Sequence, residues 1–148
     1  MFWRVFFVIF LIFSFDLWSY VKKEEKTFFL KEIENKSKLL KIYEDKEDRN
    51  YCRFIFLLSF VEIESQFNPK AISYKNAIGL MQIKKSTAEW IVKKYGLKIK
   101  NINLFNPDLN LLLGVLYLNF LWELFGDEEK MIMAYNMGKV RFCMEKRT

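Results

Sequence analysis

The chain has 148 residues, a formal net charge of +6 and 52% hydrophobic side chains, enough for one domain with a real core plus a short extension, and incompatible with general disorder. It contains no histidine and only five glycines, which excludes Ser-His-Asp and Cys-His catalysis and His-containing zinc sites, and leaves no P-loop or Rossmann pattern. Acid–base chemistry falls to carboxylates, and no cofactor is expected.

Val5 to Phe13 (VFFVIFLIF) is an unbroken apolar run behind Arg4, the layout of a secretory signal, so export is predicted. A spanning helix needs about 20 apolar residues, and Asp16 interrupts the extension towards Val21. No alanine occurs before Ala71 and no cysteine before Cys52; an A-x-A site and a lipoprotein anchor are therefore both missing. Residues 1–21 read as a signal peptide or signal anchor, uncleaved or atypically cleaved. Lys22, Lys23 and Lys26 argue against an outward-facing C-terminal side. The competing reading of the run is a core helix of a cytoplasmic protein. Residues 22–50 turn to lysine and glutamate, with Phe29, Leu30, Ile33, Leu40 and Tyr43 near helical spacing. They predict an amphipathic helix, packed on the domain or serving as a linker to the membrane. The charged run Glu44 to Asn50 reads as a solvated boundary, and residues 51–148 as the folded domain.

Phe54 to Val61 (FIFLLSFV) is apolar but for Ser59, and Pro69 with the restriction it places on Asn68 ends any helix there. Glu64 then lies in a last helical turn. Burial against an apolar wall and the negative end of the helix dipole both disfavour its ionised form, so its pKa is expected to rise. A carboxyl that stays protonated near neutrality can give a proton to a leaving oxygen; the plain alternative is a solvated glutamate at a helix end. Asn68 to Ile83 lacks helical periodicity and holds Pro69, Asn76 and Gly79, which predicts a loop or short irregular hairpin forming a cleft wall.

Ser86 and Glu89 have the spacing of a capping box, opening a helix to about Tyr95 that Gly96 ends. Lys98 to Leu104 (KIKNINL) alternates and reads as extended. Asn106-Pro107 supplies an N-cap and a first-turn proline for a helix running to Phe125 and stopping at Gly126. Its interior, LLLGVLYLNFLWELF, is apolar on nearly every face. At 15 residues, with Asn119 and Glu123, it reads as too short and too polar to span a membrane and is expected to be the central core helix, Gly114 allowing a neighbour to approach closely. Asp127 can cap a further helix carrying Tyr135 and Asn136. Cys52 and Cys143 either pair in an oxidising compartment or stay free; two cysteines carry no framework signal.

Glu64-Ser65, Phe67-Asn68-Pro69, Ala71, Ser73, Ala77, Gly79-Leu80-Met81-Gln82-Ile83 and Thr87, followed by Ala134-Tyr135-Asn136 and Gly138, resemble the catalytic domain of the soluble lytic transglycosylases. The resemblance covers about Phe54 to Gly138. It implies a mainly α, lysozyme-like helical domain with an irregular loop or short hairpin as one cleft wall. It also implies cleavage of the bond between N-acetylmuramic acid and N-acetylglucosamine in peptidoglycan, leaving a 1,6-anhydro end. Glu64 would be the single general acid and base, with Ser73, Met81, Gln82, Tyr135 and Asn136 binding the glycan and no metal required. Apart from the resemblance, Ser73 reads as a turn residue, Gln82 as a surface amide, and Met81 and Tyr135 as core.

The implied partners are peptidoglycan strands, the inner membrane through residues 1–21, and an envelope or secretion machinery. The implied place is the periplasm or cell envelope, membrane-anchored if the signal stays. The charge of +6 suits anionic cell-wall polymers or phospholipid headgroups; basic residues scattered among 18 acidic ones do not support nucleic-acid binding. Beyond the glycine the resembled family continues with a proline and one more helix, whereas Lys139-Val140-Arg141 follows here, so a shortened C-terminus is expected. Two other functions fit the same residues: a non-catalytic peptidoglycan-binding or envelope-assembly protein, and a hydrolase like the goose-type lysozymes.

Overall fold

The computed structural model describes residues 23–44 and 48–137, with side chains in the first helix from Leu30 onward. The signal-like segment 1–21, Gly138 and all that follows it, including Cys143, lie outside these residues. In chain order the elements are α1 (Lys23–Ser37), α2 (Arg49–Ser65), β1 (Ala77–Ile78), β2 (Ile83–Lys84), α3 (Lys85–Lys94), α4 (Pro107–Phe125) and α5 (Glu128–Met137).

Helix α4 starts and stops where its caps dictate. The Asn106 side chain accepts from the Leu109 N–H at 2.9 Å, Pro107 opens the first turn, and Gly126 closes the helix at φ +60°. At 19 residues it is long and apolar enough to cross a bilayer, which corrects the expectation that it is too short: Pro107 to Asn110 lengthen the helix beyond the apolar interior counted from sequence. Its surroundings decide its role. It packs against α1, α3, α5 and β2, and Leu111, Leu113, Leu118 and Leu121 are wholly buried, each such side chain stabilising the fold by roughly 1.5–3 kcal/mol. It is the core helix.

Helix α1 packs against α2 and α4 and buries Ile33, yet it ends at Ser37, so Leu40 and Tyr43 lie beyond the single amphipathic helix expected over this stretch. The reason is in α4. Asn119, nearly buried, accepts from the Lys41 N–H at 2.9 Å and donates to the Leu39 carbonyl at 2.8 Å. Arg53 Nε donates to the Ile42 carbonyl at 2.8 Å. These bonds satisfy the backbone outside a helix, and the resulting link drives Leu40 and Ile42 into the core. Ion pairs Lys36–Asp108 and Lys41–Glu123 fasten the same region to α4.

The strands β1 and β2 form an antiparallel hairpin with Ala77 opposite Lys84 and Ile78 opposite Ile83. Because pairing runs through Lys84, α3 begins at once, with Lys84 as N-cap and no side-chain cap bond; Ser86 already sits inside the helix, which corrects the capping-box assignment. The other end agrees with expectation. Gly96 takes φ +60°, and Leu97 N–H bonds the Val92 carbonyl at 2.9 Å, a Schellman closure. Residues 98–104 are irregular rather than a paired strand.

Candidate active site

Glu64 lies one residue before the end of α2, and the chain reverses there without glycine. Gln66 and Phe67 take φ of +52° and +60°, the Gln66 N–H returning to the Glu62 carbonyl at 2.8 Å. Consecutive left-handed non-glycine residues are unfavourable; here Phe67 is buried and anchors the turn. The helix thus stops before Pro69, leaving the Glu64 carboxyl at a cleft of about 350 Å³. Loss of hydration raises its pKa from 4.5 to about 7.

The hairpin supplies one wall. Asn110, wholly buried on α4, holds it by two bonds and the segment before α4 by a third: its oxygen accepts from the Met81 N–H at 2.8 Å, and its amide donates to the Ile78 and Leu104 carbonyls at 2.9 and 2.8 Å. Gly79 passes directly beneath that amide at φ +78°, where a Cβ would collide with Asn110 and lie 2.5 Å from the Leu104 oxygen. Gln82 adopts φ +48° and donates its amide to the Gly79 and Ala71 carbonyls at 2.9 and 3.3 Å. Ser73 accepts from the Ala77 N–H at 3.0 Å, so its hydroxyl shapes the turn while facing the cleft.

Helix α5, capped by Asp127 Oδ1 on the Lys130 N–H at 2.8 Å, brings Tyr135 and Asn136 to the same cleft. The Tyr135 hydroxyl donates to the Met81 carbonyl at 2.7 Å. Its ring meets Phe60 edge-on at 4.7 Å and Tyr117 at 5.2 Å. Desolvation, then the nearby Glu64 charge, push its hydroxyl well above the ordinary phenol range, so it remains a donor.

Five residues singled out from sequence, Glu64, Ser73, Gln82, Tyr135 and Asn136, therefore meet at one cleft. Met81 does not. Its side chain is wholly buried against Gly114, and only its backbone lies next to the site, its N–H donating to Asn110 and its carbonyl accepting from Tyr135. Gly114 accordingly does admit a close neighbour. Sequence reasoning missed the cleft positions of Tyr74, Lys75, Lys84 and Tyr117. A tyrosine inside an all-apolar helix and lysines in a lysine-rich chain carry no distinguishing signal. Glu64 is the sole acidic residue lining the cleft among the described residues, and no cluster of His, Cys, Asp and Glu fit for a metal occurs among them.

Residues 42–147 match the transglycosylase SLT domain family. The membrane-bound lytic murein transglycosylase C of Histophilus somni (strain 2336) is 40% identical over 97 residues, an alignment covering 55% of this chain and 26% of that protein. Its namesake in Glaesserella parasuis serovar 5 is 37% identical over 93 residues, with the same coverage. The chain thus spans about a quarter of the length of these relatives. Among solved structures, the 70 kDa soluble lytic transglycosylase of Escherichia coli superposes with a TM-score of 0.56 at 29% identity, over 72% of this chain and 17% of that one. With the lysozyme-like helical fold and the family match over most of its length, this chain belongs to the transglycosylase SLT domain family.

Proposed function

We propose that this chain is a peptidoglycan lytic transglycosylase that cleaves the β-1,4 bond between N-acetylmuramic acid and N-acetylglucosamine and leaves a 1,6-anhydro-muramoyl end. The observation that carries the reading is a single carboxyl, Glu64, at a cleft lined by no other acid among the described residues, with its pKa brought to about 7. Two-carboxylate glycosidases place a second acid about 5–5.5 Å away for retention or about 6.5–9.5 Å away for inversion. A transglycosylase needs none. Glu64 as acid protonates the glycosidic oxygen; as carboxylate it then takes the proton of the muramoyl 6-hydroxyl, which attacks the anomeric carbon of its own ring. A pKa near 7 suits both halves, since the group must give one proton to the leaving oxygen and then accept another from the 6-hydroxyl. Intramolecular attack stands in for an activated water.

Ser73, Gln82, Tyr135 and Asn136 bind the sugars in this reading. Tyr135 offers a ring face and Asn136 an exposed amide for acetamido and hydroxyl groups. Residues 51–148 are the catalytic part, joined by residues 22–50 to a signal or anchor in residues 1–21. The relatives' designation as membrane-bound supports a place in the cell envelope.

The test is digestion of purified peptidoglycan by the full chain and by Glu64→Gln, with released muropeptides identified by mass. Anhydro-muropeptides from the wild type alone are the expected result. Reducing-end products would establish a hydrolase instead, and tight binding without release would establish a binding protein.

A further inference from the structure

The proposed chemistry leaves two cleft-lining cations without a task. Lys75, between Tyr74 and the hairpin, and Lys84, at the end of β2, both line the cleft that holds Glu64. Both are exposed, and neither joins an ion pair among the described residues. The Lys75 ammonium lies 5.1 Å from the centroid of the Tyr74 ring, which is 89% exposed at the same cleft. A ring so bare contributes little to the core and is open to contact from the cleft. Lys84 works against its own helix: it is the N-cap of α3, Lys85 follows, and no acid occupies the first turn, where the dipole disfavours cations. A local rule broken at a cleft marks a position kept for function.

We propose that Lys75 and Lys84 form a carboxylate-binding subsite that makes the cleft select glycan strands whose muramoyl lactyl arms carry negative charge. The proposal rests on a muramoyl glycan as substrate. The lactyl arm ends in a carboxylate where the stem peptide is absent, and in a peptide with its own carboxylates where it is present. The recognised chemistry is the same, a carboxylate carried on the 3-O arm of a ring that Tyr74 can stack against. A polymer of N-acetylglucosamine alone has the rings without the anion. The unpaired lysines attract the charged strand, and among the described residues nothing acidic except Glu64 lines the cleft with them.

Calorimetric titration of the full chain carrying Glu64→Gln, which removes turnover, tests this with three probes: chitohexaose, peptide-free glycan fragments of the same length, and stem-bearing fragments. At low salt at least one charged fragment is expected to bind about tenfold more tightly than chitohexaose, the gap closing at about 150 mM salt as screening shortens to roughly 8 Å. Adding Lys75→Gln and Lys84→Gln together should erase the gap and leave chitohexaose affinity unchanged, and Lys75→Arg with Lys84→Arg should restore it. The better-bound charged fragment identifies the lactyl or the stem carboxylate as the anion. Equal or undetectable binding of all three probes, or a preference that survives the double glutamine variant with its helical circular dichroism intact, overturns the proposal. Wild type that releases no muropeptide while Glu64→Gln shows the lysine-dependent preference sinks the proposed reaction alone; release by a cleft indifferent to the lysines does the reverse.

Discussion

Glu64 is held in a protonation state that the unfolded chain would not give it. Its pKa rises from 4.5 to about 7 on folding, so the native state binds more protons between those values, and stability fully present below about 4.5 is lost as pH climbs through 7. Glu64→Gln is therefore expected to stabilise the protein at pH 8, by on the order of 1 kcal/mol after allowance for the group's partial exposure, and to leave stability unchanged at pH 4. Urea melts of both forms at the two pH values check the sign; a variant equally stable or weaker at pH 8 contradicts a desolvated carboxyl. Tyr135 makes a second residue-scale case. Tyr135→Phe removes the donor to the Met81 carbonyl and should cost about 1–2 kcal/mol with the helical spectrum kept, whereas an unchanged midpoint would show that water replaces the hydroxyl. Glu64 was legible in sequence because Pro69 and the apolar run before it bound a helix end on both sides. For Met81 the residue type alone pointed to the core and the resemblance to the glycan, and its side chain is wholly buried against Gly114.

At the scale of elements, the hairpin has too few residues to stand alone and takes its shape from α4. Three backbone groups from three different places, at Ile78, Met81 and Leu104, close on the Asn110 amide. Asn110→Leu would strand all three in a dry site and is expected to destabilise the domain by about 3 kcal/mol or more. The measurement is the denaturation midpoint together with faster amide exchange at Met81; a shift confined to a few tenths of a kcal/mol would mean that the hairpin supports itself. Gly79→Ala meets the same amide and the Leu104 oxygen at a positive φ, so a loss of about 2 kcal/mol or more is expected in the same melts. Helix ends were readable from the chain, because Asn106-Pro107, Gly96, Gly126 and Asp127 act through their immediate neighbours. Asn110 was not: an amide within an apolar helix gives no hint of partners 29 and 32 residues away. The failed cap at Ser86 has a related cause, strand pairing through Lys84 overriding a local motif.

For the whole molecule, the fold follows from one helix that is apolar all round and must be enclosed. That much was plain in LLLGVLYLNFLWELF, and so was the lysozyme-like class through the Glu64, Gly79–Gln82 and Tyr135-Asn136 motifs. The enclosure by α1 was harder to foresee, since Asn119 bends the link at Leu39 and Lys41 by bonds spanning 80 and 78 residues. The result places a lone carboxyl of near-neutral pKa against a wall of hairpin and tyrosines, and the central claim is that this carboxyl needs no activated water. Digestion of peptidoglycan by the full chain in water enriched in heavy oxygen, with products read by mass spectrometry, tests that claim most directly. The account predicts muropeptides with anhydro ends and no heavy oxygen, and none from Glu64→Gln; heavy oxygen at newly formed reducing ends would contradict it.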